Sequence, residues 1–262
     1  MDKIVDYNKI QPILEIYRCI QTEASLAGRP HIIVRTTGCT HRCYFGDGGW
    51  CDSFYTSITP EKGKYTLNNV KQFFADNWDI NHLMITGGSP TMVPDTVNEI
   101  INSFKSIHAK KGIITLETEG SHPLITDHRI DVISLSPKFS NSVPVLNTKI
   151  LDTDKLVDQK FIDQHNKFRG KYDAIHQLLS YHKDYHFKPV VNPIEQPKIW
   201  DEVESFRMRF SIPKHKTWIM PPGDTRDELI RTYPMVLDFC TANAFNFSGR
   251  DHIIAYQDQR EV

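Results

Sequence analysis

Three of the chain's five cysteines fall within thirteen residues, in "GCTHRCYFGDGGWCDS" (38–53), where Cys39, Cys43 and Cys51 are separated by three and seven residues. Thiolates are soft donors that favour zinc, copper(I) or iron–sulfur clusters. Structural zinc takes four ligands; the fourth candidate, His41, is wedged between two of the cysteines, and neither gap has the pairing of a zinc knuckle. Three thiols on one loop suit a 4Fe-4S cluster with one iron left open to an external ligand, an arrangement for catalysis rather than electron storage. The alternative, three coincidental buried thiols, fits poorly with a loop this rich in glycine and charge. Gly46, Gly48 and Gly49 let the long second gap bend, because glycine accepts positive φ angles. Cys19 and Cys240 stand alone beside apolar residues and read as buried core thiols.

Such a loop needs elements to hold it. Short β-rich runs recur at 31–35 ("HIIVR"), 82–86 ("HLMIT"), 113–117 ("IITLE"), 131–135 ("DVISL"), 186–191 ("HFKPVV"), 217–220 ("TWIM") and 252–256 ("HIIAY"). Between them lie helical patterns, clearest at 95–108, where Val97, Ile100, Ile101 and Phe104 share one face and Asp95 is placed as N-cap after Pro94. Others are expected at 66–76, 155–182, 196–209 and 225–240. This alternation predicts an α/β fold with a mainly parallel sheet. The unusual loops all follow strands: the cysteine loop, Gly87-Gly88-Ser89-Pro90, Thr118-Glu119-Gly120, Ser136-Pro137-Lys138 and Pro221-Pro222-Gly223. Active sites of open α/β sheets and β/α barrels assemble at the C-terminal ends of strands, so these loops predict one site.

With 262 residues and 39% apolar composition, the chain can bury one sizeable core, and a single domain over 1–262 is expected. A net charge of -1 gives no footprint for nucleic acid or an anionic membrane. No stretch approaches eighteen apolar residues and the N-terminus lacks a signal-peptide pattern, so a cytoplasmic protein is expected. An odd number of cysteines in a chain of this length fits a reducing compartment.

The cysteine loop, with Trp50 just before its last thiol, resembles the cluster loop of the radical S-adenosylmethionine (SAM) superfamily, whose third cysteine usually follows the second after two residues rather than seven. "MITGGSP" (84–90) resembles the "TGGEP" strand end that holds the amino group of SAM's methionine. "LETEG" (116–120) and "LSPK" (135–138) follow at the separations of the 7-carboxy-7-deazaguanine synthases (QueE). "EIYRCIQTEASLAGRPHIIVRTTGC" (15–39) is similar to that family's "IFYSIQGEGxxxGxPxxFVRxxGC" opening, "CDS" (51–53) to its "CDT", "MPPG" (220–223) to its "MPEG" and "NFSGRDH" (246–252) to its closing "SPRLH". The resemblance covers residues 13 to 255.

That resemblance implies an incomplete β/α barrel with a radical SAM core. It assigns Cys39, Cys43 and Cys51 to a 4Fe-4S cluster, and Trp50, Gly87, Gly88, Ser89, Glu117, Ser136 and Lys138 to S-adenosyl-L-methionine. Gln21, Glu23, Arg35, Gly88 and His252 are assigned to a pterin substrate, Arg35 offering a planar fork to its carboxylate, and Ser53 to Mg2+. Ser89 stands where the family has Glu, so either Ser89 itself or another acid such as Glu117 must serve the ammonium. The implied reaction is a lyase reaction in 7-deazaguanine (queuosine-type) biosynthesis: radical ring contraction of 6-carboxy-5,6,7,8-tetrahydropterin with loss of ammonia. A flavodoxin-type electron donor and a homodimer are implied with it. Two alternatives remain: a glycyl-radical-enzyme activase of the same superfamily, and a non-enzymatic zinc or iron–sulfur module. The residues leave open whether the product serves tRNA or DNA.

Overall fold

Alternating side chains build the centre of the molecule, whose computed structural model describes residues 5–46, 49–257 and 259–262. β1 (Ile13–Ile20) runs antiparallel to β2 (Pro30–Thr36). β3 (His82–Gly87), β4 (Ile113–Thr118), β5 (Val132–Leu135) and β6 (Tyr185–Phe187) follow β2 in parallel, in that spatial order. β7 (Trp218–Ile219) and β8 (Asn246–Phe247) form a second parallel pair, tied to the β6 side by single bridges at Phe187–Thr217 and Val190–Met220. No pairing of β8 with β1 occurs among the described residues, so the sheet is not a closed barrel.

Helices return the chain between these strands, as parallel pairing requires. α1 (Phe54–Ser57) and α2 (Leu67–Asp76) lie between β2 and β3, and α3 (Pro94–His108) between β3 and β4. α4 (Gln159–Arg169) and α5 (Ile175–Tyr181) precede β6, α6 (Pro197–Arg209) precedes β7, α7 (Arg226–Asn243) precedes β8, and α8 (Asp251–Tyr256) follows it. Thr66 caps α2 in a reciprocal pair with Asn69. Period-2 alternation divides the sheet. Ile32 and Val34, Leu83 and Ile85, and Ile114 and Leu116 join the core with Val70 and Phe74 of α2 and Ile100 and Phe104 of α3. Their neighbours Ile33, Arg35, Met84, Thr86 and Glu117 line a cavity instead.

Several expectations are corrected. The run 252–256 is helix, because Asp251 opens a short turn in which Ile253 alone is buried. β1 is an unanticipated strand, so the cysteine loop follows the second strand rather than the first. The expected helix 155–182 breaks at Gly170 into α4 and α5. Asp95 sits inside the first turn of α3; the N-cap is Val93, with Pro94 at N1. The strands at 186–191 and 217–220 shrink to Tyr185–Phe187 and Trp218–Ile219. Cys240 is buried as expected, but Cys19 is half-buried and faces the cavity. Among the described residues, no helix is long and apolar enough to cross a membrane.

Candidate active site

Between Cys43 and Cys51 the described residues 44–46 and 49–50 pair as the two arms of a hairpin. Tyr44 bridges Trp50 in antiparallel fashion, Phe45 N donates to Gly49 O at 2.8 Å, and Cys51 N donates to Cys43 O at 3.1 Å. Gly46 (φ 64°) and Gly49 (φ 74°) supply the left-handed turns; Gly48 lies outside the described residues. The excursion leaves and returns, so the backbones of Cys43 and Cys51 end as hydrogen-bonded neighbours despite the long gap. Trp50 is buried and packs with Ile150 and Val157, its ring 4.9 Å from that of Tyr44. Behind the loop, His165 of α4 accepts from Arg42 N at 3.0 Å through Nδ1 and meets Ser142 Oγ at 3.1 Å through Nε2.

The loop is also stitched to the end of β3. Ser89 N donates to Gly38 O at 2.8 Å and Gly88 N to Thr36 O at 3.2 Å. A Cβ on Gly88 would collide with Gly38 O and Cys39 Cβ, so only glycine permits this approach. Cys39, Cys43 and Cys51 thereby line one cavity of about 970 Å³ with Gly87, Gly88, Glu117, Glu119, Ser136 and Lys138. Burial pushes the thiols of Cys39 and Cys51 up to about 12 and about 11 and that of Cys43 well up, while Lys138 pulls each of them down. Among the described residues, no three His, Cys, Asp or Glu side chains converge on a point for a single metal ion. The donor set instead rims a space, and its three soft donors fit a cluster with an open corner.

The other expected residues reach the same cavity, apart from Ser89, which is buried just behind it. Ser89 Oγ donates to Glu119 Oε1 at 2.7 Å. Lys138 Nζ donates to Ser136 Oγ at 3.1 Å. Glu117 meets Lys188 Nζ and accepts from Thr86 Oγ1 at 2.9 Å; burial alone would raise its pKa, but Lys188 more than offsets this and holds it at about 2. Glu23 also meets Lys188. Gln21 Nε2 lies 3.2 Å from Met84 Sδ. His252 Nδ1 lies 2.7 Å from Thr22 Oγ1, which gives Thr22 a local role. Arg35 donates from Nε to Glu15 Oε2 at 2.7 Å, from Nη1 to Ser53 Oγ at 3.1 Å and from Nη2 to Tyr17 OH at 3.2 Å.

Five charged residues here were not singled out from the sequence. Lys188 is fully buried between Glu23 and Glu117. Arg250 joins Asp52 to Gly223 O, and Glu15 receives both Arg35 and Arg260. Only a signal such as a lysine inside the apolar run 186–191 could have found Lys188; the rest depend on long-range pairing.

No model of a protein family matches the chain. Curated relatives named 7-carboxy-7-deazaguanine synthase do. That of Halobacterium salinarum is 26% identical over 253 residues, covering 96% of this chain and 92% of its own. That of Haemophilus influenzae is 30% identical over 174 residues, covering 61% of this chain and 75% of its own. The crystal structure of QueE from Escherichia coli superposes with a TM-score of 0.56 at 16% identity, over 92% of this chain and 94% of that one, a likeness of fold. With cysteine loop, strand-end glycines and full-length similarity together, the chain belongs to the 7-carboxy-7-deazaguanine synthase family.

Proposed function

We infer that this chain is a radical SAM enzyme that forms 7-carboxy-7-deazaguanine from 6-carboxy-5,6,7,8-tetrahydropterin, releasing ammonia. The observation that carries the reading is the single cavity shared by three thiols, the Gly87-Gly88 strand end and the polar face of the sheet. A single domain arranged as an incomplete β/α barrel accords with seven consecutive parallel strands from β2 to β8, the β6–β7 link being made by two single bridges.

When bound, a 4Fe-4S cluster and SAM supply the radical chemistry; the chain orients and shields it. Cys39, Cys43 and Cys51 would hold the cluster as thiolates, their protons released to solvent. Gly87 and Gly88 leave room for the methionine end of SAM, and Ser136 and Lys138 offer a hydroxyl and an ammonium on the same wall. Trp50 closes the loop by packing rather than by a polar contact. Gln21, Glu23, Arg35 and His252 line the remainder of the cavity, where a pterin carries both hydrogen-bonding edges and a carboxylate. Lys188 keeps Glu117 ionised and orients both Glu23 and Glu117. Ser53 fits Mg2+ poorly: its hydroxyl accepts from Arg35, so a cation on that oxygen would sit beside a guanidinium. A flavodoxin-type donor, a homodimer and a cytoplasmic setting complete the proposal on family grounds, the last in keeping with five free cysteines.

The test is mass spectrometry of an anaerobic reaction containing reconstituted protein, dithionite, SAM, Mg2+ and the tetrahydropterin. The expected result is 7-carboxy-7-deazaguanine in excess over SAM consumed. Accumulation of 5'-deoxyadenosine without that product would remove the substrate assignment, and one bound zinc with no iron would favour the metal-module alternative.

A further inference from the structure

Two carboxylates come from the end of β4, and their surroundings differ. Glu117 is spent, with one oxygen on Lys188 and the other on Thr86. Glu119, just past the strand, is engaged through one oxygen only: Oε1 accepts from Ser89 Oγ at 2.7 Å, and His122 Nδ1 stands 3.8 Å from it. Its second oxygen, Oε2, is buried with no hydrogen-bond partner, in a side chain only 4% exposed. Leaving a buried acceptor unpaired is costly, and more so for a charged one, so this oxygen calls for a donor brought by a ligand. Glu119 lines the cavity beside Cys39, Gly87 and Gly88. The nearby Lys138 does not answer the need: its ammonium donates to Ser136 Oγ and makes no hydrogen bond to Glu119 Oε2.

We propose that Glu119 binds the α-ammonium of SAM's methionine end, and that Ser89 is the positioning residue that fixes the Glu119 carboxylate for it. The inference rests on the reading of the cavity as a SAM site. A carboxylate at the end of β3 is replaced here by a hydroxyl, and the charge is delivered from the end of β4, across a 2.7 Å hydrogen bond. The chain therefore moves the acid to the neighbouring strand instead of losing it. Glu117 is the poorer substitute because the Lys188 ammonium already balances its charge and each of its oxygens already has a partner.

The experiment is equilibrium dialysis of two probes, SAM and its analogue lacking the α-amino group, against anaerobically reconstituted holoenzyme without pterin or reductant. Iron and sulfide content and the visible spectrum of the cluster show that each variant is loaded. Glu119→Gln keeps the shape and removes the charge. It is expected to weaken SAM by roughly 10- to 100-fold, the range for a hydrogen bond to a charged group, and to leave the analogue unchanged. Ser89→Ala should cost SAM several-fold and the analogue nothing. The exchange Ser89→Glu with Glu119→Ser, which conserves volume, should return SAM affinity to near that of the parent.

If Glu119→Gln weakens both probes equally, or neither while the parent binds SAM, the proposal is overturned and the SAM site stands. If the loaded parent binds neither probe, the SAM reading falls and takes the proposal with it.

Discussion

At the thiol end of the cavity, Cys43 and the outer oxygen of Glu119 are buried and Cys39 and Cys51 half-buried, all with little to satisfy them, whereas four acids on and behind the opposite wall already have cations. There Glu15 takes Arg35 and Arg260, Glu23 and Glu117 share Lys188, and Asp52 takes Arg250. The contrast separates two ways of building a polar cavity. The thiol end is left incomplete, so its groups would gain what they lack from a bound cofactor. The ionic wall balances itself, so it can keep its shape before any ligand arrives, and a ligand must compete for groups already engaged.

The largest test of that contrast is to break the incomplete end. Cys43→Ala is expected to abolish cluster uptake, read as iron and sulfide per chain after anaerobic reconstitution, and product formation with it. Cys19→Ser is the matched control: Cys19 also lines the cavity, but on the ionic side and outside the loop. Its iron content should equal that of the parent. Iron retained in Cys43→Ala, or lost in Cys19→Ser, would place the cluster elsewhere.

Next in size is removal of the cation that serves two acids. Lys188→Met takes from the half-buried Glu23 and Glu117 the buried cation they share, leaving Glu23 only the more distant Arg250 at 3.9 Å, which should destabilise the fold by about 3 kcal/mol, the low end for breaking a buried pair. Chemical denaturation measures this directly. A loss under about 1 kcal/mol, the range of a surface pair, would mean that water reaches the two carboxylates and that the wall is not self-balanced.

This ionic wall is also what the sequence conceals. The loops at the ends of β2 to β5 were legible because each joins an apolar run to residues with unusual chemistry, and runs such as "HLMIT" carry period-2 burial. β1 was not, because its first four residues, Ile13 to Ile16, are all buried, Glu15 among them, so the alternation disappears. "HIIAY" has strand composition yet folds as helix, since a short apolar run does not specify its own period. The cysteine hairpin was legible as a bend in glycines, but its outcome, Cys51 N on Cys43 O, is a matter of pairing. The partners of Lys188 lie 71 and 165 residues away, and no local pattern encodes them.

A smaller effect concerns the support behind the thiol loop. His165 is fully buried and neutral, its pKa pushed down to about 3 by burial, and His31 and His186 are likewise pushed down to about 4 and about 3. Unfolded, these imidazoles titrate near 6.5. Between that value and their folded values the unfolded chain takes up protons that the folded chain refuses, so stability is complete above about pH 6.5 and falls as pH drops toward 4. His165→Gln should therefore flatten the stability-against-pH slope below pH 6 by roughly 1 kcal/mol per pH unit, measured as denaturation midpoints from pH 7.5 to 5. An unchanged slope would show that His165 is reached by protons in the folded state.

The smallest expected effect lies at the turn that carries Glu23 into the ionic wall. Ala24 is buried in the left-handed region at φ 53°, and its N–H donates to Ser248 Oγ at 3.1 Å. A Cβ in that conformation crowds the carbonyl oxygen and costs about 1–2 kcal/mol relative to glycine, while glycine at the same place carries more entropy in the unfolded chain, worth about 0.5–1 kcal/mol. The two oppose each other, so Ala24→Gly should stabilise by about 1 kcal/mol or less, seen as a small rise in the denaturation midpoint with an unchanged slope. A fall would mean that the packing of the buried methyl outweighs the strain, since the backbone N–H to Ser248 is kept by glycine, and that this turn is held by its neighbours as firmly as the ion pairs beside it.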